Sequence, residues 1–177
     1  MIRRSVCGCT FAVTLALLAV TDGSAAVQAD RTIVILVRHA EKEDEPAADP
    51  GLTGDGQARA QDLARRLGDA GVDAVYASQY RRTILTGEPL ARQLGQRVRI
   101  APIEGETAGY AAALVRRILD EHTGETVVIV NHSNTVPIIA RAFGAPDPGP
   151  IEDSEYGNLF IVVIGPGTVR ELIRAHY

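Results

Sequence analysis

The sequence predicts an α/β fold, a three-layer sandwich whose central sheet is mostly parallel with an antiparallel edge. Short runs of β-branched and apolar residues alternate with stretches of helical periodicity along most of the chain. The runs are apolar at consecutive positions, which is typical of strands covered on both faces. The last two runs are separated by the turn GPGT, which favours an antiparallel pair at one side of the sheet.

The amino-terminal segment differs from the rest of the chain. Two arginines give it a positive start, residues 11–20 are mostly apolar, and small residues lead to a cleavage site after Ala26 or Ala29. This order predicts a secretory signal peptide, because the apolar run is well short of the ~20 residues that a membrane span needs. We therefore expect residues 1–29 to be removed. Residues 30–177 would then form a single periplasmic or secreted domain without membrane attachment.

The composition narrows the possible partners and chemistries. The chain has a formal net charge of −4, and the predicted signal peptide removes more basic than acidic residues, so the remaining domain is acidic. An acidic domain without a basic stripe argues against a nucleic-acid partner. Both cysteines, Cys7 and Cys9, precede the cleavage site, which excludes disulfides, a cysteine nucleophile and a zinc–thiolate site from the mature domain. The sequence leaves the oligomeric state open.

The first half of the domain predicts two strand–helix units. Thr53 is a typical N-cap residue, and apolar residues at i, i+3, i+4 and i+7 from Ala60 to Leu67 define a helix that we expect to reach Gly71. Pro89 lies inside the second helix and is expected to kink or interrupt it. The predicted elements are a strand at residues 32–37, a helix at 53–71, a strand at 72–78 and a helix at 81–94.

The second half continues the alternation and ends in two strands. Pro137 suits the first turn of a helix, where its missing N–H has no helical partner to lose. His122 falls at a helix end, where a cation is ordinary, and His176 is next to the chain end, where we expect fraying. The predicted elements are a strand at residues 97–100, a helix at 108–121, a strand at 126–133, a helix from about 135, and strands at 158–164 and 169–173.

Two of the predicted strands end on residues suited to holding and attacking an anion. The first run, ILV, is followed by Arg38 and His39, and the run VVIVN is followed by His132. In open α/β sheets, ligands bind outside the carboxyl ends of the strands. These residues therefore mark the candidate site, and the helix after His132 would add its amino-terminal N–H groups to an anion bound there.

Three stretches, in this order, resemble segments of the histidine phosphatase superfamily, which includes cofactor-dependent phosphoglycerate mutases, histidine acid phosphatases and phosphohistidine phosphatases. They are LVRHAEK, YASQYRRTILTGEPLA and VVIVNHSNTVP, and GLTGDGQARA resembles the start of the family's first helix. The resemblance spans residues 33 to about 143 and implies a phosphoglycerate mutase-like fold. Ala40 stands where well-known members have glycine, so the chain resembles a small exported branch with an RHAEK motif.

The resemblance also implies roles for four residues. His39 would be the nucleophile that forms a phosphohistidine, Arg38 and Arg82 would clamp the phosphoryl oxygens, and His132 would donate to the same oxygens. These roles are physically sound, because a neutral imidazole divides one difficult displacement into two, while fixed guanidinium groups stabilise the charge of the transferring group. The three cationic partners supply the positive charge, so we expect neither a metal nor a cofactor. Arg81, adjacent to the chosen Arg82, is the alternative for the second clamp.

The proton donor for the leaving group is less well defined. In some branches of the family it is a carboxylate in the loop after the third strand, and Glu104 lies at about the right distance, so we name it as the general acid. Glu106 in the same loop and Glu41, two residues after the nucleophile, are alternatives. A further alternative is that the site has no positioned acid.

These inferences predict an exported, metal-independent phosphomonoesterase that acts on small phosphate esters through a phosphohistidine on His39. A phosphomutase of the same fold is an alternative, although the chain lacks the insertions that close the mutase pocket. A non-catalytic phospho-ligand binding module is the other alternative. A two-histidine metal hydrolase is weaker, because His39 and His132 have no third ligand at helical spacing.

Overall fold

A six-stranded mixed sheet in the order β3-β2-β4-β1-β5-β6 forms the centre of the protein. Strands β1 to β4 are parallel where they pair, and β5 and β6 add antiparallel strands beyond β1. The elements are β1 (Thr32–Arg38), α1 (Gly54–Leu67), β2 (Val72–Ala77), α2 (Arg81–Gln93), β3 (Arg99–Ile100), α3 (Thr107–Glu121), β4 (Thr126–Asn131), α4 (Val136–Ala142), β5 (Asn158–Gly165) and β6 (Thr168–His176).

This computed structural model describes residues 31–165 and 168–177. The predicted signal peptide, together with Cys7 and Cys9, lies outside the described residues. No helix within the described part of the chain is long and apolar enough to span a membrane.

The two faces of the sheet are covered by different helices. In β1, Val34 and Leu36 belong to the core formed with α3 and α4, whereas Ile35 and Val37 belong to the core formed with α1 and α2. Consecutive residues of the strand are buried because successive side chains point to opposite faces and both faces are packed. The predicted three-layer sandwich with an antiparallel edge is confirmed.

The carboxyl ends of β1 and β4 lie next to each other at the centre of the sheet. Strands β1 and β4 are parallel neighbours, and Arg38 is the register partner of Asn131. The N–H of His39 donates to the carbonyl oxygen of Asn131 at 2.8 Å. His39 and His132 therefore leave the sheet side by side at its carboxyl edge.

Helix α2 runs through Pro89, so the predicted interruption does not occur. Pro89 removes one helical N–H, but Gly87 before it and Leu90 after it are buried, with Gly87 against Val75 and Val130 of the sheet. Packing on both sides of the proline thus stabilises the helix despite the lost hydrogen bond.

Other differences concern element ends. Helix α1 has the predicted N-cap, since the Thr53 hydroxyl accepts from the N–H of Gly56 at 3.1 Å, but it ends at Leu67 rather than Gly71. Strand β3 has only two residues. The fraying predicted at His176 is wrong, because β6 pairs with β5 through His176 and the next N–H donates to Gly157 at 3.0 Å.

Candidate active site

His39 is held in one orientation directly after β1. Its side chain is buried, and Nδ1 lies 2.8 Å from the carbonyl oxygen of Ala40. A carbonyl oxygen only accepts, so in the neutral ring Nδ1 carries the proton and Nε2 keeps its lone pair. This is the tautomer that a nucleophilic imidazole needs.

The surroundings of His39 keep its ring neutral. The pKa of His39 is lowered to about 4, chiefly by burial. Neighbouring arginine and lysine charges act in the same direction, and the hydrogen bond to Ala40 opposes them. At neutral pH the lone pair on Nε2 is consequently available without a separate base to remove a proton.

His132 lies against His39 at the end of β4. The ring centroids are 5.3 Å apart and the rings meet edge to face. The pKa of His132 is lowered to about 3, first by burial and then by the charges of His39, Arg82 and Arg38. Burial and the two neighbouring arginines make a positive charge on His132 unfavourable, so its ring is neutral at neutral pH in the unliganded site.

A hydroxyl pair at Nε2 and the Arg82 guanidinium at Nδ1 influence which nitrogen of His132 carries its proton; since a guanidinium only donates, the contact with Arg82 Nη2 at 3.4 Å favours the proton on Nε2 in the unliganded site. Ser78 Oγ lies 3.0 Å from His132 Nε2 and 2.8 Å from Thr83 Oγ1. When Thr83 donates to the carbonyl of Tyr80, at 2.7 Å, Ser78 donates to Thr83 and Nε2 carries the proton. When Thr83 donates to Ser78 instead, Ser78 donates to Nε2, and the proton moves to Nδ1, where it is available to a bound oxygen.

Arg38 is fixed on one side and free on the other. Its Nη1 donates to three backbone carbonyls of the loop before β5, those of Glu152 at 2.7 Å, Asp153 at 3.1 Å and Glu155 at 3.0 Å. Its guanidinium carbon lies 4.3 Å from the centre of the Tyr156 ring. Its Nε is buried and has no hydrogen-bond partner among the described residues, so this donor is available to an oxygen of a ligand.

Arg82, rather than Arg81, joins this group. The Arg82 guanidinium stacks over Tyr80 at 4.5 Å, and its Nη2 lies 3.4 Å from Nδ1 of His132. Arg82 also approaches the Asp49 carboxylate, at 3.9 Å. Arg81 is exposed and is not among the residues that line the cavity.

Helix α2 and the loop that bears His39 are joined by Thr86. Its hydroxyl donates to the Arg82 carbonyl at 2.7 Å and accepts from the N–H of Ala40 at 3.0 Å. Thr86 therefore has a positioning role, since it sets the distance between the loop that bears His39 and the helix that bears Arg82.

The four predicted residues share one cavity of about 360 Å³. The residues that line it are Arg38, His39, Lys42, Tyr80, Arg82, Ile103, Thr107, His132, Ser133, Asn134, Thr135 and Asp153. Four cationic or protonatable groups thus surround a space suited to a phosphoryl group. Within residues 31–165 and 168–177, no group of three or more His, Cys, Asp or Glu side chains is arranged to hold a metal ion.

The carboxylates proposed as proton donors lie elsewhere. Glu104 and Glu106 are exposed, and neither lines the cavity. Glu41 is engaged by Arg59, whose Nη2 lies 2.6 Å from its carboxylate. Burial is the largest single influence and raises the pKa of Glu41, but the hydrogen bonds that its carboxylate accepts and the charges of Arg59 and Arg38 together lower the pKa below its ordinary value. Glu41 is therefore a poor source of protons.

Sequence reasoning did not identify several residues of the site. Tyr156 and Asp153 approach Arg38 from a loop more than a hundred residues away along the chain, and no local pattern announces that contact. Tyr80 and Lys42 also line the cavity. These two residues could have been found from the sequence, since Tyr80 lies in the segment YASQYRRTILTGEPLA and Lys42 in the segment LVRHAEK.

A protein-family model and several solved structures are similar to this chain. The family described as histidine phosphatase superfamily (branch 1) matches residues 34–108. Among solved structures, YhfR of Bacillus stearothermophilus is 22% identical, with a TM-score of 0.64 and coverage of 78% of this chain and 94% of that one. No curated protein sequence matches this chain.

Two further structures with the same fold have phosphatase names. A mycobacterial glucosyl-3-phosphoglycerate phosphatase is 16% identical, with a TM-score of 0.64 and coverage of 83% of this chain and 98% of that one. The phosphoserine phosphatase of Entamoeba histolytica, as a histidine-to-alanine mutant in complex with phosphoserine, is 15% identical, with a TM-score of 0.61 and coverage of 80% of this chain and 96% of that one.

Proposed function

We propose that this chain is an exported, metal-independent phosphomonoesterase that acts through a phosphohistidine on His39. The chain belongs to the histidine phosphatase superfamily and is a phosphatase. Small phosphate esters are the substrates. The observation that carries the proposal is the placement of the His39 ring, with Nδ1 held by the Ala40 carbonyl so that Nε2 keeps its lone pair, in one cavity with Arg38, Arg82 and His132.

The reaction follows from these positions. Nε2 of His39 attacks phosphorus, the bond to the ester oxygen breaks, and the departing alkoxide takes a proton to leave as the alcohol. Arg38 Nε, the Arg82 guanidinium and His132 donate to the phosphoryl oxygens, whose charge is spread in the transition state. Water then attacks the phosphohistidine, the P–N bond breaks, and phosphate leaves a neutral His39.

The substrate class is supported from two sides. The cavity of about 360 Å³ has room for a phosphoryl group and a small alcohol. The names of the similar structures, glucosyl-3-phosphoglycerate phosphatase and phosphoserine phosphatase, are those of enzymes that release phosphate from such esters. Export rests on residues 1–29 alone, and recovery of the protein outside the cytoplasm, beginning after Ala26 or Ala29, is its test.

Hydrolysis of p-nitrophenyl phosphate by protein produced from the full-length chain tests the proposal. We expect turnover from pH 4 to 8 that survives a chelator. His39→Ala should lower kcat by at least about 10³-fold. His176→Ala, which alters an exposed histidine of β6, is the matched control and should retain full activity. Phosphate binding that depends on Arg38 and Arg82 without any turnover would instead indicate a binding module.

A further inference from the structure

We propose that Asp153, rather than Glu104, donates the proton to the leaving group. The inference rests on the proposed phosphatase function. It starts from the cavity wall, where Asp153 is the only acidic residue among the described residues that line the cavity. Its Oδ1 lies 3.8 Å from Nη2 of Arg38, so the carboxyl group is next to the position that a phosphoryl oxygen occupies on that arginine.

The backbone of Asp153 is fixed at this place. Its carbonyl and those of Glu152 and Glu155 all accept from Nη1 of Arg38. The loop is also closed on itself, since the Glu155 N–H donates to the Glu152 carbonyl at 2.9 Å and the Glu155 carboxylate accepts from the Glu152 N–H at 2.8 Å. The buried guanidinium thus holds the loop against the phosphate site.

The Asp153 side chain, by contrast, is not needed to hold Arg38. It is fully exposed, and an exposed carboxylate at 3.8 Å from a guanidinium stabilises a protein very little. Three carbonyls and the Tyr156 ring already orient Arg38. The fixed backbone and the free side chain together give the carboxyl group the reach that a general acid needs from a wall of the cavity.

The proton balance is complete. The step starts from the carboxyl form of Asp153, which lies beside the phosphoryl group bound on Arg38. As the bond between phosphorus and the ester oxygen breaks, that oxygen takes the proton and leaves as an alcohol. The resulting carboxylate then takes a proton from the water that attacks the phosphohistidine, which restores the acid.

Leaving-group dependence tests this role, because a proton donor matters most when the departing alcohol is a poor leaving group. We would measure kcat/KM for p-nitrophenyl phosphate and for glycerol 2-phosphate with wild type, Asp153→Asn and Glu104→Gln. Asp153→Asn should lower the value for glycerol 2-phosphate by about 10²-fold or more, and that for p-nitrophenyl phosphate by less than about 5-fold. Glu104→Gln, the matched control, should change neither.

The outcomes separate this inference from the proposed function. Equal losses on both substrates would show a structural or binding role for Asp153 and overturn the inference, as would an unchanged Asp153→Asn or a selective loss in Glu104→Gln. Turnover of p-nitrophenyl phosphate by the wild type supports the proposed phosphatase function, whatever the result for Asp153→Asn. A wild type that hydrolyses neither ester would overturn both. Asp153→Asn preserves side-chain shape at a fully exposed position, so loss of folding is not expected, and its thermal unfolding checks this.

Discussion

At the scale of single residues, the protonation of two histidines decides what the site does. His39 has a carbonyl at Nδ1, and His132 has a hydroxyl at Nε2. Burial is the largest cause of the low pKa of both rings, and the positive charges of Arg38 and Arg82 add to it. The arginines that we propose to bind phosphate thus also help to keep His39, the proposed nucleophile, in its neutral form.

The histidine titrations give a direct prediction. We expect His39 to remain neutral until the pH falls to about 4. Its folded pKa lies below the unfolded value of about 6.5, so between pH 6.5 and 4 only the unfolded chain binds this proton. The free energy of unfolding therefore has its full value above pH 6.5, falls as the pH drops towards 4, and loses nothing more from His39 below that. NMR titration of the imidazole signals, assigned with His39→Ala, measures this. A midpoint for His39 between 6 and 7 would contradict the account.

At the scale of elements, the loop after β1 is positioned by helix α1. The N–H of Thr53 donates to the Glu41 carbonyl at 3.0 Å, and Arg59 of the same helix binds the Glu41 carboxylate. Gly56 packs directly on the Glu41 backbone, so that a Cβ there would come closer to the carbonyl oxygen than real Cβ atoms do. The first turns of α1 therefore set the path of the chain two residues beyond His39.

Two glycines of α1 make a matched pair. Gly56→Ala should lower the free energy of unfolding by about 1–3 kcal/mol, because the Glu41 backbone must move. The displaced loop should also lower kcat/KM by about 10-fold or more. Gly54→Ala, in the same turn with open space around it, should raise stability by up to about 1 kcal/mol and leave activity unchanged. Urea denaturation and p-nitrophenyl phosphate turnover distinguish them, and equal behaviour of the two variants would refute this positioning.

At the scale of the whole molecule, the sequence predicted those features that depend on residues close together in the chain, and it failed for features that depend on tertiary packing. Consecutive apolar residues in β1 and β4 predicted buried parallel strands, and their carboxyl ends therefore placed Arg38, His39 and His132 together. Pro89 does not interrupt α2, because the packing of α2 on the sheet offsets the local preference.

The loop before β5 shows where such reasoning stops. This loop binds Arg38 through three backbone carbonyls. Any residue type supplies a carbonyl, so the amino-acid sequence does not indicate these hydrogen bonds. Glu104 was selected by its distance along the chain from β3, but the direction of that loop follows from tertiary packing, and the cavity wall is formed by Ile103 and Thr107 instead.

Trapping the covalent intermediate tests the central claim most directly. The full-length protein would be mixed with an excess of ³²P-labelled phosphate ester, quenched within milliseconds, kept alkaline and digested for peptide mapping. The account predicts acid-labile label, up to one phosphate per chain, on the peptide that contains His39, and none in His39→Ala. Turnover by the wild type with no labelled protein, or with label on His132, would contradict it.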